Sequence, residues 1–371
     1  MEKIRIAVLC GGRSGEHEVS LVSGSSVAKA LDPSKYDVTL VGIDPAGKWK
    51  VLDTAKILSG SLAPEQLNLR EAGTLLEPRA YASENFLTIH NQKPFDVIFP
   101  VLHGTYGEDG TIQGLFELAD VPYVGSGVVG SSVGMDKDVS RRLLDHAGIP
   151  VVPTLTFRAS DGKSMEERAL EAERSFGYPY FVKPANMGSS VGVHKVKAVE
   201  QALAALEDAF NYDNKVLIEK AIPARELECA VLEGEPTRAS GVGEIIPTHE
   251  FYSYEAKYQD ENGAELKIPA ELTAAQVEEI QLLSLKAFDV LELRGLARVD
   301  FFMDKNSGQL YLNEVNTMPG FTKISMYPKL WAAAGLKYPE LLDHLVQLAL
   351  KRHHEKAHLK TEFAGARPHG K

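Results

Sequence analysis

The chain has 371 residues, enough for roughly two or three domains and for a core that needs no disulfide or metal staples. Its composition, 44% hydrophobic and 25% charged, is that of an ordinary soluble globular protein and excludes collagen-like and low-complexity chains. Forty basic against 51 acidic residues leave a net charge of −11, a poor basis for non-specific nucleic-acid or anionic-membrane binding, which need an excess of Lys and Arg.

Residues 4–9 form a buried-strand run that Gly11-Gly12 breaks, and helical spacing follows over 18–31. Residues 36–43 are the next strand, and 95–102 another, ending at His103-Gly104. A helix beginning at Thr111, with Asp109 as a capping candidate, and a short strand over 121–125 complete an α/β unit with a parallel sheet. A helix over 137–146 opens a second unit, with strands at 180–183 and 215–220 around a helix at 199–210. A third unit carries strands near 227–232, 296–303 and 310–316, with helices near 274–288 and 339–350. The expected boundaries are 1–135, 136–220 and 221–350, followed by a polar, frayed tail over 351–371. Cys10 and Cys229 are too few for a disulfide framework and fit a reducing compartment. No apolar run approaches the roughly 18 residues of a membrane span, and the one ending at Cys10 is too short for a secretory signal, so a cytoplasmic location is expected.

The stretch 296–316 carries the strongest chemical signal. Two alternating segments flank the turn residues 304–308, which makes a hairpin. Centring the turn on Ser307 sets Asp300 opposite Glu314 and Arg298 opposite Asn316, all on one face. Directly opposed carboxylates, with Cβ atoms about 5 Å apart, repel unless a cation lies between them. Asp, Glu and Asn offer the hard oxygens that Mg²⁺ takes together with substrate phosphates. The plain alternative is the solvated face of an edge hairpin. No stretch fits G-x-x-x-x-G-K-[ST], so phosphate has to be held otherwise. Asn186-Met187-Gly188-Ser189-Ser190-Val191-Gly192 follows a strand ending in Lys183-Pro184, and its small residues let N–H groups approach an anion. Lys137, Lys220, Glu219 and Glu226 add charge to that reading, against which stands an ordinary hairpin loop. Residues 248–262 form a polar and aromatic loop, long enough to be an active-site lid. His354-Glu355-Lys356-Ala357-His358 matches the zincin pattern H-E-x-x-H, but it lies in a charged tail without apolar residues to pack a helix and reads as a chance occurrence. Gly11-Gly12-Arg13-Ser14-Gly15 is not the dinucleotide fingerprint.

Taken in order, the motifs 11–20, Leu102-His103-Gly104 with Gly107-Glu108-Asp109-Gly110, Met135-Asp136-Lys137, 182–192, 254–258 and 313–320 resemble the ATP-grasp superfamily and, within it, the D-alanine–D-alanine ligases, over about residues 3–350. The resemblance implies a Rossmann-like parallel-sheet domain followed by two α+β ATP-grasp subdomains. It implies that Asp300, Glu314 and Asn316 hold two Mg²⁺ (or Mn²⁺) ions on the ATP phosphates. Lys137 and Lys183 would meet the phosphates, Glu219, Lys220 and Glu226 the adenine and ribose side, and Lys257 on the lid the γ-phosphate. Glu18, oriented with Ser189 and Tyr258, would hold the ammonium of the first D-alanine. Arg298 and the Gly320 N–H would stabilise the oxyanion, and Ser325 would meet the second D-alanine's carboxylate. The family's Arg-Glu-Gly reads Asn186-Met187-Gly188 here. The expected activity is ATP-dependent joining of two D-alanines through an acyl phosphate for cell-wall precursor synthesis, by a homodimer. The alternatives are a ligase with D-lactate as acceptor, another carboxylate–amine ligase of the same fold, or a non-catalytic ATP-binding scaffold.

Overall fold

The computed structural model describes residues 2–64, 69, 74–76, 95–247 and 264–360. Its first unit comprises β1 (Ile4–Gly11), α1 (His17–Ala30), β2 (Tyr36–Ile43), β3 (Trp49–Val51), α2 (Thr54–Leu58), β4 (Thr74–Leu76), β5 (Val97–Pro100), α3 (Thr111–Leu118) and α4 (Val128–Met135). β1 is apolar along almost its whole length because it is an interior strand, paired in parallel with β2 on one side and β5 on the other. The sheet order is β4-β3-β2-β1-β5, with β3 and β4 added antiparallel at one edge. Residues 121–125 do not extend into a strand; they touch the sheet through the single bridge Ile98–Tyr123. Asp109 accepts the Thr111 N–H at 3.0 Å from one residue before the N-cap, Gly110.

The second unit runs α5 (Lys137–His146), β6 (Thr154–Arg158), α6 (Met165–Phe176), β7 (Tyr180–Pro184), β8 (His194–Val196), α7 (Val199–Tyr212) and β9 (Lys215–Lys220). Its antiparallel sheet, ordered β6-β9-β7-β8, buries Phe157, Tyr180, Val182 and Ile218 against Ala169, Ala172, Ala202 and Leu206 of α6 and α7. Asp136 caps α5 by accepting the N–H groups of Asp138 and Val139, and Lys215 bonds the same carboxylate, which fixes the first turn carrying Lys137.

The third unit holds β10 (Ala224–Leu232), β11 (Arg238–Pro247), β12 (Ala264–Lys267), α8 (Ala274–Val290), β13 (Leu296–Asp304), β14 (Leu310–Asn316), α9 (Met326–Ala333) and α10 (Tyr338–Ala357). Its sheet is antiparallel in the order β12-β11-β10-β13-β14. The apolar face of α8 closes one side, and α9 and α10 join the other side to the first unit in one shared core, where Phe99 and Phe321 meet edge to face at 5.8 Å.

The helix expected to stop at residue 350 continues to Ala357. Polar contacts hold the extra turns: Arg352 donates to the carbonyls of Tyr123 and Gly125 and lies 4.6 Å from the Tyr123 ring centre, and Lys356 pairs with Glu117. Apolar periodicity could not reveal docking that uses side-chain charge. No helix among the described residues is long and apolar enough to cross a membrane.

Candidate active site

The chain leaves β1 toward β2 on one side and reaches β5 on the other, so the carboxyl ends of β1 and β5 open on the crevice where such sheets take ligands. Loops 12–16 and 101–110 emerge there. Glu16, the N-cap residue of α1, is buried and accepts a hydrogen bond from Ser189 Oγ, which arrives from the second unit. A Cβ at Gly104 or Gly188 would collide with the Glu16 carboxylate, so both backbones close around it. Ser189 and Ser190 hold φ of 49° and 60°, a conformation that side-chain-bearing residues rarely adopt and that aims Ser189 inward.

This geometry corrects one assignment. Glu18 is exposed in the first turn of α1 and does not meet Ser189; Glu16 does. Two residues turn a helix by about 200°, so two glutamates at that spacing cannot share a face. The motif contained both, but only the observed helix start at His17 decides which faces inward.

Glu108 lies beside Glu16 with both oxygens occupied: Oε2 accepts the Gly104 N–H at 2.8 Å and Oε1 the Met318 N–H at 2.9 Å. Burial, then the charge of Glu16, pushes its carboxyl up to about 8. His103 is buried, which lowers its pKa, and the charges of Glu16 and Arg298 both act on it.

A cluster of cations lies where α5 meets the second sheet. Lys137 donates to the Met187 carbonyl at 2.8 Å and lies 3.5 Å from Glu314. Lys183 and Arg141 both lie 2.5 Å from Glu219 Oε1. Burial opposes the Glu219 charge, and Arg141 and Lys183 outweigh it, holding the carboxyl below its ordinary value. Burial brings Lys183 down from 10.5 to about 8, with Glu219 acting the other way. Arg141 also donates to Thr154 Oγ1 at 2.6 Å and to the Asn313 carbonyl at 3.1 Å, so it joins the second sheet to β14. It sits one turn after Lys137 on the same helix face, a spacing that could have singled it out. Lys220 is exposed at the end of β9, and Glu226 is partly buried on β10.

The hairpin has the expected register at the site: Arg298 pairs with Asn316 and Asp300 with Glu314. Glu228 on β10 pairs with Asp300 from the other side, so three carboxylates form one row across β10, β13 and β14. The sequence singled out Glu226 and passed over Glu228, although period-2 alternation puts both on one face. Arg298 grips Asp300 at 2.7 Å through Nε and Nη2 and reaches Glu228 at 3.0 Å; Asn316 donates to Asp300 at 3.0 Å. Burial discourages the Arg298 charge, but Asp300 and Glu228 more than offset it and hold the guanidinium protonated. Gly320 lies in the loop after β14, where a Cβ would come within 2.6 Å of Ser325 Oγ. Ser325 is the N-cap residue of α9 and accepts the Thr322 N–H at 3.0 Å.

Lys257, Tyr258 and the expected lid over 248–262 lie outside the described residues, as does most of the tail. His354 and His358 sit one turn apart on the exposed end of α10 with Nε2 atoms 3.2 Å apart. Among the described residues, no group of three or more His, Cys, Asp or Glu side chains is placed to hold a metal ion.

Two family models match the chain: the D-ala D-ala ligase N-terminus over residues 5–126 and the D-ala D-ala ligase C-terminus over residues 143–347. The D-alanine–D-alanine ligase of Oceanobacillus iheyensis is 47% identical over 363 residues, 97% of this chain and 98% of that protein. D-alanine–D-alanine ligase A of Bradyrhizobium diazoefficiens is 49% identical over 379 residues, 98% of this chain and 99% of that protein. Among solved structures, the D-alanine–D-alanine ligase from Coxiella burnetii superposes with a TM-score of 0.85 at 36% identity, covering 96% of this chain and 97% of that one. The VanG D-Ala:D-Ser ligase from Enterococcus faecalis gives 0.81 at 35% identity, covering 94% and 100%.

Proposed function

The chain belongs to the D-alanine–D-alanine ligase family, with its ATP-grasp fold, and from that premise we propose that it joins two D-alanines with ATP, giving ADP, phosphate and the dipeptide used in peptidoglycan precursors. The observation that carries the reading is the buried Glu16–Ser189 contact between the first and second units. Among the described residues Glu16 forms no ion pair, so this buried carboxylate favours a cationic head such as an amino acid's ammonium. A carboxylate is a poor acyl donor; phosphorylating it by ATP makes it one. Lys137 and Lys183 contact the ATP phosphates, a reading their positive charge supports, and Glu219 and Glu226 hold the adenine and ribose side. Arg298 and the Gly320 N–H face the carbonyl as the second amine attacks, and Ser325 receives the second carboxylate. Tyr258 and Lys257 close the site from the lid, which protects the acyl phosphate from water.

The hairpin donors fit divalent metal. Asp300, Glu314 and Asn316 share one face, and their oxygens suit Mg²⁺ or Mn²⁺ completed by substrate phosphates. When bound, the ions neutralise phosphate charge. The same reading divides the chain into a substrate unit over 1–135, a nucleotide-binding unit over 136–220 and a catalytic unit over 221–350, which the three separate sheets support. The resemblance also supports a cytoplasmic homodimer.

Relatives differ in acceptor, as the name of the D-Ala:D-Ser enzyme says. The test is to give the protein equal D-alanine, D-serine and D-lactate with ATP and identify the products by mass. D-alanyl-D-alanine should dominate; a dominant D-alanyl-D-serine or depsipeptide would overturn the acceptor assignment.

A further inference from the structure

The motif over 103–110 includes two buried polar side chains, His103 and Glu108, with no part in the chemistry above. Both bind one residue of the third unit. Met318 donates its N–H to Glu108 Oε1 at 2.9 Å, and its carbonyl lies 3.0 Å from His103 Nδ1. A carbonyl only accepts, so Nδ1 carries the imidazole proton. Burial keeps His103 neutral, so Nε2 is the acceptor and takes the Ser23 hydroxyl proton at 3.1 Å. Ser23 Oγ in turn accepts the Phe321 N–H at 3.5 Å. The first unit thus grips the loop after β14 at Met318 on both sides of its peptide and again at Phe321. Between the grips lie Pro319 and Gly320.

The gripping side is itself rigid. The Glu108 N–H returns to the Gly104 carbonyl at 2.9 Å, and Gln113 donates to the Gly107 carbonyl at 2.8 Å. Glu108 spends its second oxygen on the Gly104 N–H, beside Glu16. One carboxylate therefore ties the loop that wraps the ammonium pocket to the loop that carries the oxyanion donor.

We propose that Glu108 is a positioning residue, which together with His103 and Ser23 sets the Gly320 N–H against the carbonyl of the first substrate. This rests on the ligase reading, in which Gly320 donates to the oxyanion. A donor that acts only on developing charge affects turnover rather than ground-state binding.

Glu108→Gln separates the cases, because an amide has one acceptor oxygen and cannot receive both N–H groups. Two readouts apply to the full chain. Amide hydrogen exchange without substrates should quicken about tenfold or more over 317–321 and stay unchanged over β13. Steady-state kinetics should show kcat about 10- to 100-fold lower, with the KM for D-alanine within about threefold of wild type. Wild-type exchange over 317–321, an unchanged kcat, or a raised KM with unchanged kcat would each overturn the proposal. Should Glu108→Gln fail to fold, Ser23→Ala decides in its place: faster exchange over 317–321 with a lowered kcat supports the grip, and wild-type exchange refutes it. Exchange is read without substrate, so it judges the grip even if the wild type releases no ADP with D-alanine, a result that would sink the ligase reading alone.

Discussion

The site contains two clusters of carboxylates that solve the same electrostatic problem differently. Across the hairpin and the neighbouring strand β10, Glu228, Asp300 and Glu314 stand in one row, and Arg298 and Lys137 supply positive charge within the structure itself. In the crevice of the parallel sheet, Glu16 and Glu108 accept N–H and hydroxyl donors and form no ion pair among the described residues, and burial with the charge of Glu16 pushes Glu108 up to about 8. The first cluster is compensated by cations of the chain itself. In the second, Glu16 has no ion-pair partner among the described residues, which suits it to a substrate that brings a positive charge. A carboxylate's use therefore follows from what surrounds it, not from its residue type.

The comparison breaks most clearly at the hairpin. Asp300→Ala or Glu314→Ala should lower kcat about a thousandfold or more, because each would remove a ligand of the proposed divalent ions. Both proteins should still fold, Asp300→Ala with lowered stability because it takes one carboxylate from the partly buried Arg298 and leaves it paired with Glu228. Circular dichroism with a Mg²⁺ titration of activity checks this, and an unchanged Mg²⁺ dependence would count against the metal assignment. At the other cluster, Glu16→Gln should reduce kcat/KM for D-alanine about 10- to 100-fold, the worth of one charge-assisted contact, whereas Glu18→Gln should stay within about twofold of wild type. The reverse order would restore Glu18 to the site.

A smaller effect concerns pH. Lys183 titrates near 8 instead of 10.5 because burial disfavours its charge. Phosphate binds the charged form. Affinity for ATP should therefore be level below about 8 and fall at higher pH, by up to about tenfold per unit. Lys183→Arg keeps its charge and should flatten that limb in a profile of kcat/KM for ATP. A wild-type profile already flat to pH 10 would contradict the shift. The least effect is expected of Tyr258→Phe, which deletes the hydroxyl that the family resemblance sets beside the first D-alanine; one hydrogen bond is worth about 1 kcal/mol. It should remain active and form some depsipeptide from a mixture of D-alanine and D-lactate, measured by product mass.

Much of this was legible in the sequence where alternation or a turn sets the answer. The pairing of Asp300 with Glu314 follows from centring the hairpin on Ser307, yet two features compensate to give it. Near the turn Met303 pairs with Leu310 and Phe301 with Leu312, one residue off that centring, and a bulge at Asn313 restores the register at the site. The choice of Glu18 over Glu16 failed because periodicity does not fix a helix's first residue. Several elements escaped notice for local reasons: α4 is rich in Gly and Ser, β11 contains Gly241 and Gly243, and α9 contains Pro328. The bonds from His103 and Glu108 to Met318 span more than 200 positions, a proximity no local pattern encodes.

The most direct test of the account is a coupled assay of ADP release from ATP and Mg²⁺ with D-alanine, with L-alanine and with neither. The account predicts saturable release with D-alanine, matched by D-alanyl-D-alanine on mass analysis, and near-background rates in the other two reactions. Absence of D-alanine-dependent ADP release from folded protein would contradict it.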